Sequence, residues 1–136
     1  MVVISLVLAI FAGIRGLLGH RAFTPRINTL RHITATIAHL QLMVGFTLYF
    51  KSPIVAYFRS HTHDTAYAFF GWIHILLMTI AVVLITIGSS AAKRAQDDRH
   101  KYLVMTAWFA IAAVVIFIAV PWPFSPLAQR PYLRII

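Results

Sequence analysis

The chain has 136 residues, of which 60% are hydrophobic and 11% are charged. Soluble domains have about 25% charged residues, more than twice this share. The composition therefore excludes a water-soluble fold and predicts an integral membrane protein. The lack of cysteine excludes disulfides, iron–sulfur clusters and thiolate zinc sites, and the three acidic residues lie outside the hydrophobic runs, which excludes paired-carboxylate catalysis. The formal net charge of +9 lies in predicted loops and helix ends, where we expect it to face anionic lipid rather than nucleic acid.

The first two predicted helices are joined by a short basic loop. The first covers about 1–19 and lacks the basic n-region and small-residue cleavage site of a signal peptide, so we interpret it as a retained membrane span. The second covers about 30–50 and carries His32, Thr36, His39 and Met43 at spacings of three or four residues, which predicts that they share one face.

The second half of the chain is predicted to hold two more helices. An aromatic segment at 54–63 is too short to span a membrane and is expected to lie along the interface. Asp64 and Thr65 cap a third helix at about 66–88, whose matching face carries Gly71, His74 and Met78. After a charged loop, a fourth helix covers about 100–120, and the tail at 121–136 lies beyond it. The sequence therefore predicts an all-α, four-helix transmembrane bundle with antiparallel, up-down topology, in a single domain over 1–136.

The distribution of Lys and Arg predicts the orientation of this bundle. The side with the first and third connections holds eight of them, and the other side holds four. Because positive charge is enriched in cytoplasmic loops, both termini are predicted to be non-cytoplasmic. The eight residues are Arg15, Arg21, Arg26, Arg31, Lys93, Arg94, Arg99 and Lys101.

Two histidines lie inside apolar segments of membrane length, where an ionisable side chain is costly and indicates function. His39 lies eleven residues before Phe50, about 16 Å inward at the helical rise, and His74 lies eight residues after Ala66, about 12 Å inward. On antiparallel helices the two imidazoles are therefore expected at one depth, on facing surfaces. This is the geometry that bis-histidine ligation of a haem b requires, with two neutral imidazoles as axial ligands of the iron. The alternative is that each histidine donates one hydrogen bond across the bundle.

Further residues are predicted to complete the haem site. Met43, Met78 and Gly71 are expected to line the pocket, with filling of the helix core as the alternative for the two methionines. His32 and His100 lie near the opposite membrane surface and are candidates for a second haem site. For these two, the alternative is that they are solvated histidines at the interface.

Several stretches are similar to a known family. They are Ala-His-Leu-Gln-Leu-Met-Val-Gly-Phe-Thr-Leu-Tyr-Phe at 38–50, Ile-Thr-Ile-Gly at 85–88, the pair His100 and Lys101, and Val-Pro-Trp-Pro-Phe at 120–124. Together with the helix spacing, they make the chain resemble small four-helix bacterial inner-membrane proteins described as cytochrome b-like. The resemblance implies a non-covalent haem b and a multi-pass location in the bacterial cytoplasmic (inner) membrane. Relatives carry a His-Ser-Gly-Leu-Arg-Trp-like segment before the first span, and nothing like it precedes Met1.

Two functions are consistent with these observations. The first is a small b-type cytochrome-like protein that moves single electrons within the lipid bilayer, with quinol or a larger respiratory or other membrane complex as its partner. The second is a cofactor-free accessory subunit of a larger membrane complex, because the chain has almost no part outside the membrane. Electron transfer is favoured over an independent catalytic activity, since no nucleophile–base–acid set is present.

Overall fold

The computed structural model describes residues 1–61, 68–120 and 122, and within these ranges every regular element is helical and no strand occurs. The predicted all-α fold is therefore confirmed. The predicted cap at Asp64 and Thr65 and the tail beyond Trp122 lie outside the described residues. The helices are α1 (Val2–Leu18), α2 (Pro25–Lys51), α3 (Pro53–Ser60), α4 (His74–Arg94) and α5 (Asp98–Ala119), and a π-helical turn at Phe69–Ile73, the π turn, leads directly into α4.

Local sequence signals explain where α2 and α5 begin. Helix α2 begins at Pro25, earlier than its predicted start near residue 30, because proline at the first helical position has a pre-set φ and lacks an N–H that would be unpaired there. Helix α5 begins after Asp97, whose carboxylate accepts a hydrogen bond from the backbone N–H of His100 at 2.9 Å. Helix α4 continues to Arg94, which shortens the predicted loop before α5 to residues 95–97.

Three helical segments are long and apolar enough to cross a membrane. They are α2, the π turn together with α4 (Phe69–Arg94), and α5, whereas the apolar helix α1 is shorter, with 17 residues. Only 17 to 33% of the residues in the most apolar windows of the three are buried inside the protein. So much exposed apolar surface is unfavourable in water and is satisfied by lipid, which agrees with the predicted membrane protein.

The main helix contacts run from α1 to α2, from α2 to α4, from α4 to α5 and from α5 back to α1. The fully buried side chains of Leu6, Ile85 and Phe109 lie in the core between these helices. Helices α4 and α5 approach closely at Gly88, where an added Cβ atom would overlap the Cβ of Trp108. Small residues at such positions allow close helix packing, which drives association in a membrane.

Arg31 joins α2 to α4 at the end of the molecule that carries the α1–α2 and α4–α5 connections, which we call the basic end. Its side chain is only 4% exposed, and Nη1 donates to the Ser89 carbonyl at 2.6 Å and also to the Ser89 hydroxyl. Nη2 donates to Oδ1 of Asn28 at 2.8 Å. Because these acceptors are neutral, Arg31 bridges two helices by hydrogen bonds from a charged group, each worth about 1.5–3 kcal/mol.

Candidate functional site

A cavity of about 790 Å³ lies between α2 and α4 at the end of the molecule opposite the basic end, where α3 packs; we call this the α3 end. Its walls are mainly apolar and come from the second half of α2, from the π turn and from the start of α4. The polar side chains on its walls are Gln41, Tyr49, Ser52 and His74. The apolar residues that line it include Ile37, Leu40, Leu42, Val44, Gly45, Leu48, Val55, Phe70, Ile75 and Met78.

Two of these polar side chains already have partners. The hydroxyl of Ser52 accepts from the backbone N–H of Val55 at 3.4 Å, and the phenol of Tyr49 donates to the Gly71 carbonyl at 2.5 Å. By contrast, neither the Gln41 amide nor Nε2 of the His74 imidazole has a hydrogen-bond partner among the residues that the structure describes. These two groups are therefore available to a ligand in the cavity.

The hydrogen bond at the other ring nitrogen determines the chemistry of His74. Its Nδ1 lies 2.7 Å from the carbonyl oxygen of Ala119. Because a carbonyl oxygen can only accept, Nδ1 carries the proton, and Nε2 of the neutral ring keeps its lone pair. A histidine whose Nδ1–H is held by a backbone carbonyl is the usual arrangement of a metal-binding imidazole.

The Ala119 carbonyl, which His74 contacts, itself needs a hydrogen-bond donor. Ala119 is the last residue of α5, and the final carbonyls of a helix have no N–H partner within that helix. The imidazole supplies this donor from α4, so the bond ties the start of α4 to the end of α5. His74 thus makes the interhelical hydrogen bond expected as the alternative to ligation, but this bond uses Nδ1 and leaves Nε2 free for a ligand.

The π turn immediately precedes His74 and is held by its neighbours. The backbone N–H of His74 donates to the carbonyl of Phe69, five residues earlier, which is the hydrogen bond of a π-helix. Within the turn, Gly71 lies against the ring of Phe58 in α3, which an added Cβ atom would overlap. The Gly71 carbonyl accepts the Tyr49 phenol from α2. Contacts from α2 and α3 therefore fix the turn from which His74 projects.

His39 does not lie at the depth of His74. Its Nδ1 is 2.7 Å from the Ala35 carbonyl of its own helix, and its Nε2 is 3.2 Å from the hydroxyl of Thr86. Thr86 follows His74 by twelve residues on α4, which corresponds to about 18 Å along the helix axis. The prediction that the two imidazoles lie level is therefore wrong. In this arrangement they cannot be the two axial ligands of one iron.

The other residues predicted for the pocket lie in different places. Met78 lines the cavity one helical turn after His74. Met43 is not among the residues that line it, and it is 66% exposed. Gly71 also lies off the cavity wall, because its position in the π turn places it against α3.

The structure does not bring His32 and His100 together. His32 is on α2 and His100 is on α5, and each of these helices packs mainly against α1 and α4. Both side chains are exposed. Within the described ranges, no group of three or more His, Cys, Asp or Glu side chains is arranged to hold a metal ion.

Positive charge lies beside the cavity at the α3 end. The guanidinium carbon of Arg59 is 5.8 Å from the ring centroid of Tyr49 and 5.8 Å from that of Phe50. Lys51 ends α2 at the same level and is exposed. Because Tyr49 is part of the cavity wall, these cations lie at its rim.

Sequence reasoning did not single out Tyr49, Gly45 or Arg59. A phenol inside an apolar span requires a hydrogen-bond partner, and this signal identifies Tyr49. Gly45 has no atom within 4 Å of the place where a Cβ would be, so close packing does not explain a glycine there, although glycine costs a helix about 1 kcal/mol relative to alanine. The bare backbone at Gly45 lets a flat ligand approach α2 closely.

These features allow a test of the implied haem against the residues present. A neutral imidazole with a free Nε2, apolar walls, bare backbone at Gly45 and cations at the rim fit a haem with one axial histidine, His74. They do not fit the predicted ligation by both His39 and His74. No known protein family, curated protein or solved structure matches this chain.

Proposed function

We propose that the protein is a small b-type cytochrome-like membrane protein that binds one haem b in the cavity between α2 and α4, with Nε2 of His74 as the axial ligand. The observation that carries this proposal is the 2.7 Å hydrogen bond between His74 Nδ1 and the Ala119 carbonyl, because it leaves a lone pair on Nε2 at the wall of an apolar cavity. A haem bound there supplies one-electron chemistry within the membrane.

The size and composition of the cavity support this ligand. Sites for cofactor-sized molecules have volumes of about 300–1,000 Å³ and mainly apolar walls with a few polar groups. The volume of about 790 Å³ lies within this range, and the walls provide aliphatic side chains for both faces of a macrocycle. Gly45 leaves space for the macrocycle edge to contact the α2 backbone. Met78, one turn further along α4, adds a flexible apolar side chain to the same wall.

The cations at the α3 end also support this ligand. The two propionates of a haem b are the polar edge of a largely apolar molecule, so they require water or positive charge. Arg59 and the exposed Lys51 provide that charge at the rim, whereas the interior beside Met78 is apolar. Arg59 and Lys51 would therefore hold the propionates of a haem bound in this cavity.

We also propose the arrangement of the chain in the membrane. Helices α1, α2, α4 and α5 form an antiparallel four-helix transmembrane bundle, which the sequential contacts between these helices support. The basic end faces the cytoplasm and both termini are non-cytoplasmic, since the α1–α2 and α4–α5 connections carry most of the Lys and Arg. The proposed location is the bacterial cytoplasmic membrane, where quinol or a larger membrane complex exchanges electrons with the protein.

Absorption spectroscopy tests the proposed function. We expect protein expressed with haem supply and purified in detergent to give a Soret band and, after reduction, a shifted Soret band with one broad visible band, the spectrum of a haem with one strong axial ligand. His74→Ala removes the ligand, so these bands should be lost or strongly reduced. His39→Ala is the matched control, since it removes an imidazole from the facing helix at a different depth, and it should retain the bands. A colourless wild type, or a His39→Ala variant as colourless as His74→Ala, would contradict the proposal.

The alternative, a cofactor-free accessory subunit, is supported by one observation. The ring of His39 is exposed on α2 in the middle of the apolar span, where contact with lipid is unfavourable for an ionisable side chain. A helix of a partner subunit would cover the ring and remove it from lipid. Purification in a mild detergent distinguishes the two functions: a colourless protein with a stoichiometric partner supports the subunit, and a coloured protein without one supports the cytochrome.

A further inference from the structure

The π turn determines how the His74 imidazole is directed relative to the residues at the start of the turn. One residue of an α-helix corresponds to a rotation of about 100°, and a π turn inserts one extra residue between the helical segments on its two sides. The first part of the turn is fixed, because Phe69 is 1% exposed and Gly71 packs on Phe58. The segment after it is fixed by the bond between His74 and Ala119. If the turn relaxed to an α-helix, one of these two sets of contacts would have to break.

The hydroxyl of Tyr49 stabilises the π turn from α2. A π turn has poorer hydrogen bonding than an α-helix and persists only where the surroundings require it. Tyr49 donates to the Gly71 carbonyl at 2.5 Å, inside a span where an unsatisfied carbonyl is costly. Without this donor, the turn loses a contact that favours it over the α-helical pattern, in which the Gly71 carbonyl accepts from the N–H four residues later.

We propose that Tyr49 is a positioning residue for His74 and acts through the π turn. Its phenol holds the Gly71 carbonyl, the turn directs the imidazole, and Nδ1 then reaches Ala119 and leaves Nε2 at the cavity wall. The direction of the His74 imidazole follows from these contacts alone, and only the effect of Tyr49 on a bound haem rests on the proposed function.

The test is Tyr49→Phe, which keeps the ring on the cavity wall and removes only the donor. The matched control is Tyr102→Phe, because the Tyr102 phenol donates to the Ala22 carbonyl at 3.0 Å at the basic end. We expect Tyr49→Phe to shift the ring nitrogen signals of His74 in protein labelled with 15N-histidine and prepared without haem, while Tyr102→Phe leaves them unchanged. In the haem-loaded protein, Tyr49→Phe should shift the midpoint potential and raise the rate of haem loss by about fivefold, the equivalent of one hydrogen bond of about 1 kcal/mol.

Each outcome separates the positioning role from the proposed function. If Tyr49→Phe leaves the His74 signals unchanged, or if Tyr102→Phe shifts them equally, the positioning role is wrong. If the signals shift only in Tyr49→Phe but the wild type binds no haem, the positioning role is correct and the cytochrome function is wrong. Should Tyr49→Phe fail to fold, Gly71→Ala tests the same turn from the α3 side, because the added Cβ displaces the ring of Phe58, and it should shift the same His74 signals.

Discussion

Replacing Gly88 with alanine tests the close contact between α4 and α5. The added Cβ would overlap the Cβ of Trp108 and lie 3.0 Å from its Cγ. Because a Cβ atom is fixed to its backbone, rotation of the Trp108 side chain cannot relieve the overlap, and the two helices must separate. Overpacking of this kind costs about 1–3 kcal/mol, while the better helix propensity of alanine returns about 1 kcal/mol. We expect a net loss of up to about 2 kcal/mol, or a ratio of folded to unfolded protein that is lower by up to about thirtyfold.

The assay is reversible unfolding of the haem-free protein in mixed micelles, followed by helicity, with Gly45→Ala as the matched control. The same substitution at Gly45 meets no atom within 4 Å, so it should leave stability unchanged or raise it by up to about 1 kcal/mol. A lower stability for Gly88→Ala together with an unchanged or higher stability for Gly45→Ala would show that α4 and α5 are in close contact at Gly88. A Gly88→Ala variant at least as stable as the wild type would refute the close contact of α4 and α5.

Two further substitutions test the basic end by the same assay. Asp97→Ala removes the acceptor for the backbone N–H of His100 and should lower the free energy of unfolding by about 1 kcal/mol. Asp97→Asn should recover most of this loss. Equal stability of Asp97→Ala and wild type would contradict the cap. Arg31→Lys should cost about 1–3 kcal/mol, since one ammonium group cannot reproduce the forked contacts to Asn28 and Ser89. An unchanged stability for Arg31→Lys would mean that the fork does not join α2 to α4.

The helical class and the membrane-length spans could be predicted because they depend on local composition. Long apolar runs separated by charged loops indicate where the helices lie, and the structure moved the predicted boundaries by up to six residues. The functional interest of His74 followed from the same information, since an imidazole in an apolar span is costly wherever it lies.

The depth of the two histidines could not be predicted in this way. Counting residues from predicted helix ends assumes that the ends of α2 and α4 are level. The observed register is fixed instead by contacts of tertiary structure, in which Tyr49 reaches Gly71 and His39 reaches Thr86. Helix α3 occupies part of the connection and packs on α2 and on the π turn, so the number of residues between two helix ends does not measure depth.

The π turn could not be predicted from the sequence either. A single inserted residue changes the direction of every later side chain, but it leaves the apolar pattern of Phe69–Ile73 unaltered. Gly71 and Met43 were predicted to line the pocket, and neither lines the cavity. A predicted helical face identifies neighbours along one helix and not the surface that the face contacts. The acceptor for His74 could not be foreseen either, since the Ala119 carbonyl is a backbone group on another helix.

The most direct measurement of the central claim is the spin state of the oxidised haem at one haem per chain, by electron paramagnetic resonance. One strong axial ligand, His74, predicts a high-spin signal in the wild type and in His39→Ala, and loss of the bound haem in His74→Ala. A low-spin signal that becomes high-spin in His39→Ala would mean that both histidines ligate the iron, and it would contradict the register of α2 and α4 described here.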